Sequence, residues 1–226
     1  MAFFTDQSAA WLKGLSANNN KAWFDAHRKE YEQHFKKPYQ ALAAALVEQV
    51  AELEPEYQMP AKYATYRINR DVRFAKDKTP YKTELGITVG RSARHDWAWP
   101  AYTCRIGLAG VWVAGGMYQP STELRDHLRR YVGEHSARLR DLMNAEPYRS
   151  TFGDLQGEAH KRAPAELKDL AAAEPLVLNK QWVFWRSFDD PSLFTSETLD
   201  QFILDQWEIA RPVQEFLKDA VRAYNA

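Results

Sequence analysis

Hydrophobic and polar positions divide this chain into helix-like, strand-like and again helix-like stretches. A first helix is predicted over residues 8–15, ending near Gly14 and the polar run Ser16-Ala17-Asn18-Asn19-Asn20. That asparagine run supplies an N-cap for a second helix, in which Trp23, Phe24, His27, Tyr31 and Phe35 recur at three- and four-residue spacing. Pro38 suits the first residue of a third helix with the stripe Leu42, Leu46, Val50 and Leu53, and Pro55 and Pro60 close the region. Residues 64–68, 85–90, 102–108 and 111–117 are rich in β-branched and aromatic side chains and read as strands. The last two are joined by Ala109-Gly110, a link short enough for a hairpin. Ser121 caps a helix running to Glu134, and another is expected over 136–144. Residues 152–164 look irregular, a strand is expected over 176–186, and Thr195-Ser196 cap a C-terminal helix that Pro212 ends or kinks.

Strands grouped together, with helices before and after, predict an α+β fold: a mostly antiparallel sheet flanked by N-terminal and C-terminal helices. No linker, repeat or low-complexity tract interrupts residues 1–226, so a single domain is expected.

The most informative stretch runs from Tyr66 to Lys82. It sets Arg67, Arg70, Arg73, Lys76, Lys78 and Lys82 within sixteen residues, offset only by Asp71 and Asp77. Like charges side by side repel, so such a cluster calls for an anion or an ion-pair network. If residues 64–68 are extended, Arg67 and Asn69 share one face and Tyr66 and Ile68 the other. Pro80 pushes Thr79 out of helical conformation, which makes 78–82 a loop between two strands. As an anion site, arginine forks and lysine point charges would hold a phosphate or carboxylate. Tyr81 would donate or stack, and Asp71 and Asp77 would orient the cations. As a structural network, the two aspartates would simply pair with the arginines. Spacing alone favours neither.

The run Arg67-x-Asn69-Arg70-Asp71-x-Arg73-Phe74-x-Lys76-Asp77-Lys78-x-Pro80-Tyr81-Lys82-Thr83 resembles the hallmark of a bacterial and fungal family of conserved hypothetical proteins. Asn18-Asn19-Asn20-Lys21-x-Trp23-Phe24, Ala114-Gly115-Gly116-Met117-Tyr118-x-Pro120, and Phe152-Gly153 through Arg162-Ala163-Pro164 are similar to it too. The resemblance covers nearly the whole chain and implies a single domain, but it brings no activity or mechanism. Trp97-Ala98-Trp99-Pro100 is more aromatic than the family's usual look.

Net charge is zero, from 30 Lys+Arg against 30 Asp+Glu, so no overall attraction to nucleic acid or anionic membrane is expected. The balance is uneven: residues 62–94 hold nine Lys/Arg and three Asp/Glu, residues 189–226 three and eight. Cys104 is the only cysteine, which excludes an intrachain disulfide and fits a reducing compartment. The start of the chain lacks a secretory pattern, and the apolar run 41–47 is too short for a bilayer, so a cytoplasmic protein with no membrane partner is expected.

No nucleotide-binding loop, dinucleotide fingerprint, serine elbow or metal-ligand histidine spacing occurs, and no cofactor or metal is expected. Cys104 reads as a buried small hydrophobe, and His27 as a packed boundary residue. Arg125 and Arg129, one turn apart, read as a solvated face unless that face meets the basic loop. Lys180 or Arg186 could extend a basic cleft, and Gly115-Gly116 read as a tight turn. Whether the protein is an enzyme stays open; Asp71 and Asp77 are the first carboxylates to test. Three functions compete. The first is a small-molecule site for a phosphorylated or carboxylated ligand on Arg67, Arg70, Arg73, Lys76, Lys78, Tyr81 and Lys82. The second is a non-enzymatic interaction protein whose motif is an ion-pair network. Nucleic-acid binding, with Trp97, Trp99 or Tyr102 stacking on bases, is the third.

Overall fold

The computed structural model describes residues 2–226. Helix α1 spans Asp6–Ala17 and α2 spans Lys21–Ala26, the latter capped by the Asn20 side chain, which accepts from Trp23 N at 3.0 Å. Helix α3 (Arg28–Glu30), a π-helical turn (Tyr31–Lys36) and α4 (Lys37–Leu53) then follow without a break. Pro38 therefore does not open a separate helix as expected. Proline cannot bond the carbonyl four residues back, and its ring crowds that group. The carbonyl in question, on His34, accepts instead from the buried Ser8 hydroxyl of α1. Wide turns of this kind absorb such an irregularity within a helix.

Strands β1 (Leu85–Val89), β2 (Ala101–Gly107), β3 (Gly110–Met117) and β4 (Trp182–Phe188) form an antiparallel sheet in the order β1-β2-β3-β4. Helix α5 (Thr122–Glu134) is capped by Ser121 as predicted and is followed by α6 (Ser136–Asn144), α7 (Tyr148–Phe152) and α8 (Lys168–Ala173). The C-terminal helix α9 covers Leu199–Tyr224, so the α+β expectation holds. Pro212 does not end α9. It forfeits one backbone bond, while the buried Val213, Phe216, Leu217, Ala220 and Val221 that follow hold the helix in place. The strand expected over 176–186 is split: Pro175–Leu178 is a 3₁₀ turn, and β4 starts only at Trp182.

No strand forms over 64–68, where only Thr65 bridges Ile87. The reason is a side chain from α4. The Tyr39 hydroxyl accepts from Tyr66 N at 2.8 Å and donates to Gly86 O, occupying the place of a direct ladder bond.

The chain divides into two compact units. The first takes the chain up to Arg94, with Thr103–Trp112 and Ser187–Leu204. In it α4 packs on β1, and an aromatic cluster fills the core: Phe4 stacks on Phe194 at 4.8 Å, Trp11 meets Phe35 at 4.8 Å, and Phe24 stacks on Tyr81 at 4.2 Å. Cys104 is fully buried there as a free thiol, and burial pushes its pKa up. The second unit takes His95–Tyr102, Val113–Arg186 and Asp205–Ala226. It packs α5 against α8, buries Trp182, and buries Phe184 beside Tyr148 and Phe152. Among the described residues, no helix is long and apolar enough to cross a membrane.

Candidate functional site

The basic motif is a loop closed at its base. Arg70 N donates to Pro80 O and Lys82 N to Ile68 O, both at 2.8 Å, around an antiparallel bridge between Asn69 and Tyr81. The free edge of Tyr81 is taken by the Asn19 side chain, which donates to Tyr81 O at 2.9 Å and accepts from Tyr81 N at 3.0 Å. A carboxamide presents the same donor and acceptor pair as a peptide, so Asn19 acts as a one-residue strand. The asparagine run near the start and the Pro80-Tyr81-Lys82 end of the motif, separate in sequence, thus meet in one contact.

Inside the loop most charges are occupied. Arg70 donates to the Asp77 carboxylate and to Thr79 Oγ1 and O. Asp77 accepts in turn from Thr79 N and Oγ1, each at 2.9 Å. Those donors, the Thr79 amide first and Arg70 next, hold the Asp77 pKa down at about 2. Arg73 donates to both Asp71 oxygens, which lowers the pKa of Asp71. Lys78 Nζ donates to Val72 O at 2.9 Å. Lys76 is exposed, Tyr81 is buried under Phe24, and Phe74 at the tip is 96% exposed. The exposed ion pairs contribute little to global stability and act instead to fix the loop's shape.

Arg67 and Lys82 are different. They belong to a group of cations that also contains Arg94 and Arg105, the charges of the three arginines all acting on Lys82 and Arg105 standing at the exposed position of β2. Tyr66 forms the floor of this group. Its hydroxyl meets Thr88 Oγ1 at 3.0 Å, and Thr88 meets Thr103 Oγ1 at 2.8 Å. A Cβ on Gly86 would stand 3.2 Å from the Tyr66 ring, so glycine at that position lets the ring lie close against the strand. Lys82 Nζ lies 5.3 Å from the Tyr66 ring centroid and the Arg94 guanidinium 5.2 Å, within cation–π range. Arg105 lies 4.8 Å from the Trp112 ring.

Among the described residues, none of Arg67, Lys82, Arg94 and Arg105 forms an ion pair with a carboxylate. Burial first, then the charges of Arg67, Arg105 and Arg94, lower the Lys82 pKa. Arg94 donates through Nη1 to Tyr63 O at 3.0 Å, while its Nε is buried without a partner. Arg105 also lines a cleft of about 230 Å³ together with Thr83, Glu84, Trp112 and Asp189.

Over residues 7–216 the sequence matches the family described as conserved hypothetical protein (DUF2461). The chain belongs to that family. No curated protein matches it. Every residue of the cation group lies within the span this family shares. Of the residues singled out from the sequence, Arg67 and Lys82 face the open cluster, while Arg70, Arg73, Lys78, Asp71 and Asp77 build the loop beside it. The motif's spacing did not reveal Arg94 or Arg105. The available signal for Arg105 was one arginine at an outward position of the strand Ala101-Tyr102-Thr103-Cys104-Arg105-Ile106-Gly107, whose even-numbered neighbours are all buried.

Proposed function

We propose that the first unit binds a small anionic molecule, its phosphate or carboxylate held by Arg67, Lys82, Arg94 and Arg105 over Tyr66. The supporting observation is four neighbouring cations, none of them ion-paired with a carboxylate among the described residues, one of which has its pKa lowered by burial and then by the charges of the other three. Gathering like charges destabilises a fold, and an oxyanion offsets that cost through charge-assisted hydrogen bonds. The adjoining cleft takes the rest of the ligand. Its wall offers the Trp112 ring and the Glu84 and Asp189 carboxylates, which favour a body carrying hydrogen-bond donors or a positive charge. At about 230 Å³ the cleft lies below the usual range of ligand pockets and suits only a very small body.

The inner motif serves the site indirectly on this reading. Arg70 with Asp77 and Arg73 with Asp71 keep the loop between Arg67 and Lys82 in one conformation. The same pairs favour a second reading, in which the motif is a structural network alone. Stacking of nucleic-acid bases draws less support, since Trp99 and Tyr102 are 7% and 1% exposed and only Trp97 of the three rings is half-exposed.

A thermal-shift and calorimetric screen of inorganic phosphate, phosphate monoesters, carboxylates and amino acids separates these readings. A ligand at a hundred times its dissociation constant stabilises the protein by about 2.7 kcal/mol. Binding that disappears in Lys82→Met and Arg105→Met, and weakens in Arg70→Ala, supports the site. Binding that survives both methionine variants, or no binding at all with a large stability loss in Arg70→Ala, leaves only the structural network.

A further inference from the structure

The second unit contains buried cationic donors with nothing to donate to. Arg129, on α5, is 4% exposed. Its Nε donates to Asn179 O at 3.2 Å and its Nη1 to Asp126 Oδ1 at 3.1 Å, yet Nη2 is buried without a partner. Arg125, one turn earlier on the same helix face, donates through Nη2 to Thr122 Oγ1 at 3.3 Å and has a buried, unpartnered Nε. The face expected from the sequence to be solvated is therefore partly interior. The segment after Gly157 brings a third group. His160 N donates to Leu178 O at 2.8 Å and Lys180 N to Glu158 O at 2.7 Å, around an antiparallel bridge between Ala159 and Asn179. This ladder pairs Ala159, next to His160, with Asn179, whose carbonyl anchors Arg129. His160 Nε2 is also buried without a partner.

These groups act on one another. Burial, then the charges of Arg129, Lys180 and Arg125, lower the His160 pKa, and only Asp126 opposes them. Asp126 is engaged by Arg129, and Glu158 by Lys180 at 3.0 Å. Among the described residues, Arg125 is left without a carboxylate partner. Buried donors left unpaired are costly, more so when charged. A single water accepts two hydrogen bonds, fewer than the three side chains offer here with the imidazole proton of His160 on Nε2. An oxyanion accepts from all of them.

The free donors also select the ligand's shape. A carboxylate is recognised best through two adjacent N–H groups of one guanidinium. Both guanidiniums here have spent part of their fork on Asn179, Asp126 or Thr122, so the remaining donors come from separate side chains. That arrangement matches the several oxygens of a tetrahedral anion. We propose that Arg125, Arg129 and His160, with Lys180 at the rim, form an anion site in the second unit that takes a phosphate group, free or esterified.

The test is a titration of full-length protein, at fixed ionic strength, with inorganic phosphate, sulfate, phosphoserine and acetate. The readout is the imidazole ¹H–¹⁵N resonances of His160. The His160 signals are expected to move and saturate with the tetrahedral anions and to stay still with acetate. Arg125→Met should weaken binding at this site about tenfold or more. His160→Gln, read by calorimetry, should do the same, whereas Lys82→Met should leave the His160 titration unchanged. Arg125 and His160 are half-buried where Arg129 is buried, so both site variants are expected to fold even where Arg129→Met unfolds the unit. Static His160 signals, or an equal response to acetate, overturn the proposal. A response lost in Lys82→Met but kept in Arg125→Met assigns the phosphate to the first unit and overturns it as well. A response lost in Arg125→Met alone supports it and leaves the reading of the first unit to its own test. Saturation by inorganic phosphate but not phosphoserine identifies the free ion, and the reverse identifies an ester.

Discussion

Replacing Tyr39 by phenylalanine removes one oxygen atom and two backbone interactions. The Tyr39 ring is 5% exposed, and its hydroxyl links Tyr66 N to Gly86 O. Phenylalanine keeps the ring's packing but leaves an N–H and a C=O unpaired. Each orphaned backbone group costs about 1–3 kcal/mol. Both groups belong to half-buried residues, so entering water recovers part of this, and the net loss should be about 2–3 kcal/mol. For a chain of this length that lowers Tm by roughly 5–10 °C. Urea denaturation of the variant against wild type gives the magnitude, and amide exchange gives the location. The Tyr66 amide should lose protection while amides in α5 keep theirs. Tyr63→Phe, at a ring 45% exposed, serves as the control and should change little. A loss below about 0.5 kcal/mol, with Tyr66 still protected, would refute the idea that this hydroxyl replaces a ladder bond.

Lys82→Met should abolish anion binding at the first site yet stabilise the unliganded protein by a few tenths of a kcal/mol at neutral pH, about what a screened like-charge contact is worth. Because the folded state holds the Lys82 proton less tightly than the unfolded chain, wild-type stability should rise as pH climbs toward the ordinary lysine value, and the variant's advantage should shrink over that interval. Denaturation curves at stepped pH decide this; a gap that widens with pH contradicts it. Ser8→Ala should cost about 1–3 kcal/mol, because it strands the His34 carbonyl beside Pro38, and Ser8→Thr should cost less if the methyl fits. Phe74→Ala should leave Tm within about 1 °C of wild type, since the ring is 96% exposed. A larger drop would mean that the loop tip packs on something.

Local chemistry made much of the fold legible. Ser121 capping α5, the β2–β3 hairpin and the α6 boundaries all follow from residues within a few positions of each element. What escaped depends on partners far along the chain. Residues 64–68 have strand-like side chains, but a tyrosine 27 positions earlier takes the bond that would have made them a strand. Pro38 is tolerated in mid-helix because Ser8 accepts responsibility for a carbonyl 26 positions away. The candidate site divides in the same way. Counting charges located Arg67 and Lys82. Sorting occupied cations from open ones needed the loop geometry, and Arg94 and Arg105 join only once the sheet is assembled. The α5 arginines looked solvated because nothing in the pattern announces that 158–160 pairs with 178–180, whose Asn179 carbonyl takes the Arg129 Nε.

The Tyr39 bridge also bears on how the protein behaves in a crowd of its own copies. β1 is the first strand of the sheet, and an outermost strand with bare N–H and C=O groups invites another chain to add to it. Here Gly86 O is engaged by the tyrosine hydroxyl, Thr88 N by Ala64 O at 3.0 Å, and Ile87 is bridged by Thr65. The border is closed without a full fifth strand, by one side chain and a brief touch of backbone. A lesion at Tyr39 therefore does more than loosen a monomer: it opens the sheet's margin to strand addition, the first step toward aggregation at high concentration.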